Sequence, residues 1–345
     1  MPERTCRGIG FRVLRLKRVR KTPAILSVAA LTTLALAGCS PVAGGEASCD
    51  RAAGADESLT DLIDVSGSLE DAPTVDMYAP FHVNENSYAD VEVGDGQAIT
   101  TLDQPGVLDM TLYDGSTGEP IIGTSYSGDL SSVGALSQWS TQFPGLDDAL
   151  LCATEGSRIV AALDEDGVSA EAREYYAQAG FPQEGTVVAI VDVRKVYPAA
   201  ASGTLQYNDG FGLPSVVRDS GGRPGVIVPD APAPDDLVVQ TLIKGEGAEL
   251  TIDDTPLVQY TGVLWDDKTV FDSSWENGSP VPFTLDGGVI EGFTEGLVGQ
   301  TVGSQVMIVI PPELAYGDEG QGAVPAGATL VFVVDILGVQ EEAAS

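Results

Sequence analysis

Residues 142–163 read QFPGLDDALLCATEGSRIVAAL, and residues 289–310 read VIEGFTEGLVGQTVGSQVMIVI. Gly145, Leu150, Gly156 and Ser157 in the first stretch have the same spacing as Gly292, Leu297, Gly303 and Ser304 in the second. Each set runs into an apolar strand, RIVAAL or QVMIVI. The match continues on both sides. Downstream, Thr186, Val188 and Asp192 answer to Thr329, Val331 and Asp335; upstream, Thr111 in DMTLYD parallels Thr261 in QYTGVL. A single pair is coincidence, but a run of pairs in the same order is a duplication, one fold used twice.

The surrounding sequence supports strands. VLDMTLYD (107–114) and TVVAIVDVRKV (186–196) belong to one set; LVVQTLIKG (237–245), PLVQYTGVLW (256–265) and TLVFVVDIL (329–337) belong to the other. All are short apolar runs bounded by Gly, Asp and Pro. One helix is predicted over 169–179, capped by Ser169, with Glu171 in its first turn and Gly180 and Pro182 ending it. Residues 39–75, rich in Gly, Ala, Ser and Asp, read as a flexible tether, and 198–235, ending in PDAPAPDD, as a linker. The expected organisation is therefore a leader (1–38), a tether (39–75), a first domain (76–197), a linker (198–235) and a second domain (236–340).

The leader carries a cationic run, RVLRLKRVRK (12–21), then an uncharged stretch from Thr22 to Ala37. That stretch is shorter than the ~20 apolar residues of a spanning helix. It ends in Leu36-Ala37-Gly38-Cys39, which looks like a bacterial lipobox, with Cys39 as the lipidation site; the other reading is an ordinary secretory signal. The leader holds eight of the 17 Lys+Arg and one of the 51 Asp+Glu, leaving nine and 50, a formal charge of −41. Such a chain repels nucleic acid and anionic headgroups, so membrane contact is expected through lipid alone. The acidity itself reads as a solvated surface. Cys6 leaves with the leader, and Cys49 and Cys152 remain as a disulfide candidate in an oxidising compartment. His82, the only histidine, argues against a His-rich metal site or a Ser-His-Asp triad.

Phosphate loops, HExxH and GxSxG are absent. No cofactor or metal is expected. The second domain instead sets Tyr260, Phe271, Phe283, Phe293, Tyr316 and Phe332 beside small residues, a pattern that a plain core would also give. Six strings then occur in order: VQYTGVL (258–264), VFDSSWENG (270–278), VIEGFTEGLVG (289–299), VGSQ (302–305), IPPELAYGDEG (310–320) and VPAGATLVFVVDIL (324–337). Together they resemble the FKBP-type peptidyl-prolyl isomerase family, across essentially all of 240–340.

The resemblance implies an α+β fold, two FKBP-like domains, each a curved antiparallel sheet wrapping a short helix, here about Gly292–Leu297. It implies catalytic roles for Tyr260, Phe271, Asp272, Phe293, Tyr316 and Phe332, and substrate binding by Val281, Phe283, Val289, Ile290 and Val324. Phe293 would form the pocket floor, and the Ile290 N–H and the Tyr316 hydroxyl would bind carbonyls of the peptide. Asp272 would orient by accepting a hydrogen bond rather than act as a general base. Val281 stands where the family commonly has phenylalanine, PVPFTLDGGVI is one residue short, and the flap Gly320–Val324 is light. These departures bear on substrate preference and on affinity for macrolides such as rapamycin.

The implied reaction rotates X-Pro bonds against a barrier of ~18–20 kcal/mol. An apolar pocket strips water from the planar, more dipolar amide and so favours the twisted one. The partners would be proline-containing segments of exported proteins. The first domain has Met110 for Tyr260, Leu146 for Phe293, IIGTSYS for VFDSS and the predicted helix for PPELAYG. It is expected to keep the frame, lose the pocket and be inactive. A proline-segment-binding chaperone or assembly factor without turnover is the alternative function.

Overall fold

The computed structural model describes residues 49–51, 55–208 and 210–340. The leader and Cys39 lie outside the described residues. Strands dominate and helices are short. No helix among the described residues is long and apolar enough to cross a membrane.

Within the tether expected over 39–75, residues 55–75 carry regular structure, and most of 39–54 lies outside the described residues. Helix α1 (Leu59–Leu62) leads into a hairpin of β1 (Ile63–Ser66) and β2 (Thr74–Met77), with Ile63 opposite Met77. The first large sheet follows: β3 (Ser87–Glu92), β4 (Pro105–Asp114), β5 (Pro120–Gly123), β6 (Gly134–Ala135), α2 (Ser137–Gln142), α3 (Asp147–Leu150), β7 (Arg158–Leu163), α4 (Ala170–Tyr175) and β8 (Val187–Val196). Its strand order is β3-β7-β8-β4-β5, with β6 on β4. The Ser169 side chain accepts the Ala172 N–H and caps α4.

The linker expected over 198–235 is also structured. It holds β9 (Thr204–Leu205) and a second hairpin, β10 (Ser215–Arg218) with β11 (Pro224–Ile227). The second sheet comprises β12 (Val238–Lys244), β13 (Pro256–Leu264), β14 (Val270–Ser273), α5 (Ser274–Asn277), β15 (Val281–Pro282), α6 (Glu291–Leu297), β16 (Gln305–Ile310) and β17 (Leu330–Val339). The order is β14-β13-β17-β16-β12-β9, with β15 on β13.

Both hairpins exist for one reason. The central strands are apolar on both faces, so each sheet needs two covers. Inward, Val306, Ile308, Ile310, Phe332 and Val334 pack with Phe293 and Leu297 of α6. Outward, Met307, Val309, Val331 and Val333 pack with Val216 and Val226 of the second hairpin. Uncovering those four outward side chains would cost on the order of 6–12 kcal/mol, at about 1.5–3 each. That rivals the whole net stability of a domain, about 5–15 kcal/mol. The first sheet repeats the plan: Leu59, Ile63, Val75 and Met77 cover Val160, Ala162, Val188 and Ile190.

The two sheets share several local arrangements. Thr111 lies opposite Gly123 and Ile190, as Thr261 lies opposite Ser273 and Val333. Thr154 Oγ1 donates to the Gly94 carbonyl at 2.7 Å and Ser157 Oγ accepts the Gly94 N–H at 3.0 Å. Thr301 and Ser304 treat Gly245 identically, at 2.7 and 3.0 Å. A Cβ at Gly94 would lie 2.1 Å from the Glu155 carbonyl oxygen, and one at Gly245 2.2 Å from that of Val302, so only glycine fits either crossing.

A polar key locks each hairpin. Arg158, on β7, grips Asp192 at 2.6 and 2.8 Å and donates to the Gly67 and Ser68 carbonyls in the turn of the first hairpin. In the second, the cation comes from the hairpin: Arg218 donates to Gln305 Oε1, and Gln305 Nε2 donates to Asp335 at 2.6 Å. The Ala201 N–H also donates to Asp335, at 2.8 Å. Cys49 and Cys152 are bonded across a sequence separation of 103, with Cα atoms 5.2 Å apart. Beside them, Arg51 pairs with Asp90 at 2.5 Å and sits 4.5 Å over the Tyr88 ring.

Arg158 is 2 % exposed and Asp192 0 %. Removing one partner strands a buried charge, so Arg158→Ala should lower unfolding free energy by about 3–5 kcal/mol, measured by urea titration. Burial pushes the Asp335 carboxyl up to about 6, against the hydrogen bonds from Ala201 and Gln305 and the charge of Arg218. An unfolded aspartate titrates near about 3.9. Between those values the folded chain keeps a proton that the unfolded chain has released, so stability falls as pH rises from about 4 to 6 and is level beyond. Relative to Asp335→Asn, the wild type should lose roughly 3 kcal/mol between pH 4 and 7, read from unfolding midpoints at both pH values.

Candidate functional site

Helix α6 is only seven residues long and has no side-chain cap. Packing holds it, because so short a helix has little stability of its own. Phe293 and Leu297 are buried against β16 and β17, which fixes Phe293 beneath the concave face of the sheet. Around it the strands deliver a basket of rings. Phe332, on β17, lies 5.2 Å from Phe293 and 5.5 Å from Phe271, both edge-on, and 6.1 Å from Tyr260. Phe283 closes the circuit, 5.1 Å from Phe293 and 5.4 Å from Tyr260. Edge-to-face contacts suit the ring quadrupoles.

The remaining predicted residues border this basket. Val281, Val289, Ile290 and Tyr316 are half-buried against the same core, and Val324 is buried in it. Val324 is held by exchanged backbone hydrogen bonds with Gln321, at 2.8 and 2.9 Å. Asp272 is exposed at the rim and accepts the Tyr260 hydroxyl. Burial, with that carboxylate as second cause, pushes the Tyr260 hydroxyl above the ordinary phenol range. Tyr260 therefore stays protonated and donates. Two donors remain unspent: neither the Ile290 N–H nor the Tyr316 hydroxyl has a hydrogen-bond partner among the described residues.

Sequence reading missed the scaffold under Tyr260. Ser274 Oγ accepts the Tyr260 N–H at 2.8 Å and donates to Gln259 Oε1 at 2.5 Å, all in the buried interior. Thr261 and Ser273 hydroxyls meet beside them at 3.2 Å. The only signal was the SS of VFDSS, polar residues where a strand should be apolar. Gly262 was missed too. A Cβ there would lie 2.6 Å from Phe271 Cζ and 3.1 Å from Phe332 Cε1, so its emptiness makes room for the ring pair. No cluster of potential metal ligands occurs among the described residues.

Residues 246–337 match the family model described as FKBP-type peptidyl-prolyl cis-trans isomerase. The probable FK506-binding protein of Corynebacterium glutamicum is 44% identical over 115 residues, 33% of this chain and 97% of that protein. This chain belongs to the FKBP-type peptidyl-prolyl cis-trans isomerases. The isomerase FkpA of Escherichia coli is 46% identical over 104 residues, which cover 30% of this chain and 38% of FkpA. The crystal structure of FkpA aligns with a TM-score of 0.30 at 38% identity, covering 39% of this chain and 55% of FkpA. The family match leaves out the first sheet entirely.

Substituting Gly262→Ala should drive the Phe271 ring from its contact with Phe332. The expected result is a fall in kcat/KM of about tenfold, ~1.4 kcal/mol of transition-state stabilisation. Thermal unfolding should move less, since Phe271 is only half-buried.

Proposed function

We propose that the aromatic basket on residues 236–340 is where this isomerase rotates X-Pro bonds, and that its clients are exported proteins met outside the cytoplasm. The observation that carries the reading is the pairing of a water-excluding ring set with two unspent donors, the Ile290 N–H and the Tyr316 hydroxyl. The proline ring sits on Phe293, between Tyr260, Phe283 and Phe332. The two donors hold carbonyls on either side while the bond turns. Desolvation raises the planar amide relative to the twisted one. Asp272 serves by orienting the Tyr260 hydroxyl, whose hydrogen bond it accepts. Residues 76–197 are, in this reading, a degenerate copy of the same fold.

The extracytoplasmic setting rests on the lipobox-like Leu36-Ala37-Gly38-Cys39 and on the Cys49–Cys152 bond, since disulfides persist mainly in oxidising compartments. Cys39 is proposed as the lipid-bearing residue, so Cys39→Ser should abolish palmitate labelling in cells.

For the chemistry, isomerisation of a prolyl peptide by the whole chain is compared with Phe293→Ala and Tyr316→Ala. Phe293→Ala should lower kcat/KM by tenfold or more, about 1.4 kcal/mol at least, and Tyr316→Ala several-fold. An unchanged rate in Phe293→Ala would remove the basket from the reaction.

A further inference from the structure

The first sheet was expected to have lost its pocket. In the structure a hollow persists there, at the position equivalent to the aromatic basket. The equivalence is fixed by hydrogen bonding: Thr124 Oγ1 accepts the Met110 N–H at 3.1 Å, as Ser274 Oγ accepts the Tyr260 N–H. Met110 thus occupies the place of Tyr260 and Ile122 that of Asp272. The space released by the missing rings is walled from the other side by Trp139, Phe143 and Tyr176. It has a volume of about 200 Å³.

Thr124 and Trp139 also line a second, adjoining depression of about 340 Å³. Among the described residues, the charged side chains lining the two are Asp109, already paired with Arg194 at 2.7 Å, and Asp129, which has no cationic partner there. Hydrogen bonds from Ser131 hold the Asp129 carboxyl below the usual aspartate range, so it stays ionised. Tyr175, 78 % exposed and edge-on to Tyr176 at 4.8 Å, extends the apolar rim outward.

We propose that this cleft is a second polypeptide-binding site, which takes an apolar or prolyl side chain of an extended segment flanked by lysine or arginine. The apolar wall selects the side chain. Asp129 in the extension, on a chain of formal charge −34, selects the basic flank by charge complementarity. The site holds without isomerising. Met110 and Ile122 stand where the Tyr260–Asp272 pair would be, and the Tyr176 hydroxyl is already committed to Gln142 at 2.9 Å.

The test uses the whole chain carrying Phe293→Ala and Tyr316→Ala, which silence the second-sheet basket. The probe is fluorescein-labelled Lys-Lys-Leu-Pro-Leu-Lys-Lys, followed by anisotropy beside its Glu-flanked counterpart. Binding of the lysine peptide should survive in this background and weaken by about tenfold when Trp139→Ala is added. Asp129→Asn, a surface change that leaves the core intact, should weaken it about threefold and flatten its salt dependence. The Glu-flanked peptide should bind at least about tenfold more weakly. Loss of all binding in the background variant would overturn the proposal. So would equal affinity for the two peptides, or an affinity indifferent to both Trp139→Ala and Asp129→Asn.

Discussion

Val331 and Val333 face away from helix α6 and are fully buried all the same. With Met307 and Val309 they make the outer side of the second sheet as apolar as its inner side. A sheet so built is stable only between two covers. The inner cover is the helix that carries Phe293. The outer cover is the hairpin of β10 and β11, inserted in the chain between β9 and β12. The pocket depends on both, since Phe332 and Val333 are consecutive residues on opposite faces of one strand. Anything that frees the outer face loosens the strand that centres the ring basket.

The first sheet solves the same problem with different chemistry. Both sheets carry a buried aspartate at the same register, Asp192 or Asp335. In the first, the answering cation grows from the sheet and reaches the hairpin turn. In the second, glutamine replaces that arginine, and Arg218 reaches in from the hairpin. The contact survives although the charge has changed sides.

Much of this was legible in the sequence. The Gly, Leu, Gly, Ser spacing pointed to a shared frame, in which Gly156 and Gly303 take the same left-handed turn, φ 90° and 89°, just before β7 and β16. The ring-bearing strings marked the basket, and its predicted members do come together. The hairpins were not legible. Residues 59–77 and 215–227 alternate weakly, among Gly, Asp and Pro, and each strand is four residues long. Their reason for folding is an apolar face elsewhere, which periodicity in a short window cannot reveal. The hollow near Met110 escaped for a similar reason. Loss of Tyr260 and Phe293 equivalents was visible, whereas the wall is rebuilt by Trp139 and Tyr176, from segments with no counterpart string in the second half, and by Phe143 at the position matched to Ile290.

The Cys49–Cys152 bond has a mechanical meaning. Among the described residues, tension arriving along the chain from its N-terminal side meets this covalent crossing before it meets any hairpin or strand. From Cys152 the load passes directly towards β7. Everything between the two cysteines, including the first hairpin, β3, β4 and β5, lies in a closed loop that carries no force. An edge strand such as β3 would otherwise be peeled from the sheet one hydrogen bond at a time. The oxidised protein is thus a device with a load-bearing path and a shielded part, and the shielded part contains most of the wall of the proposed second cleft.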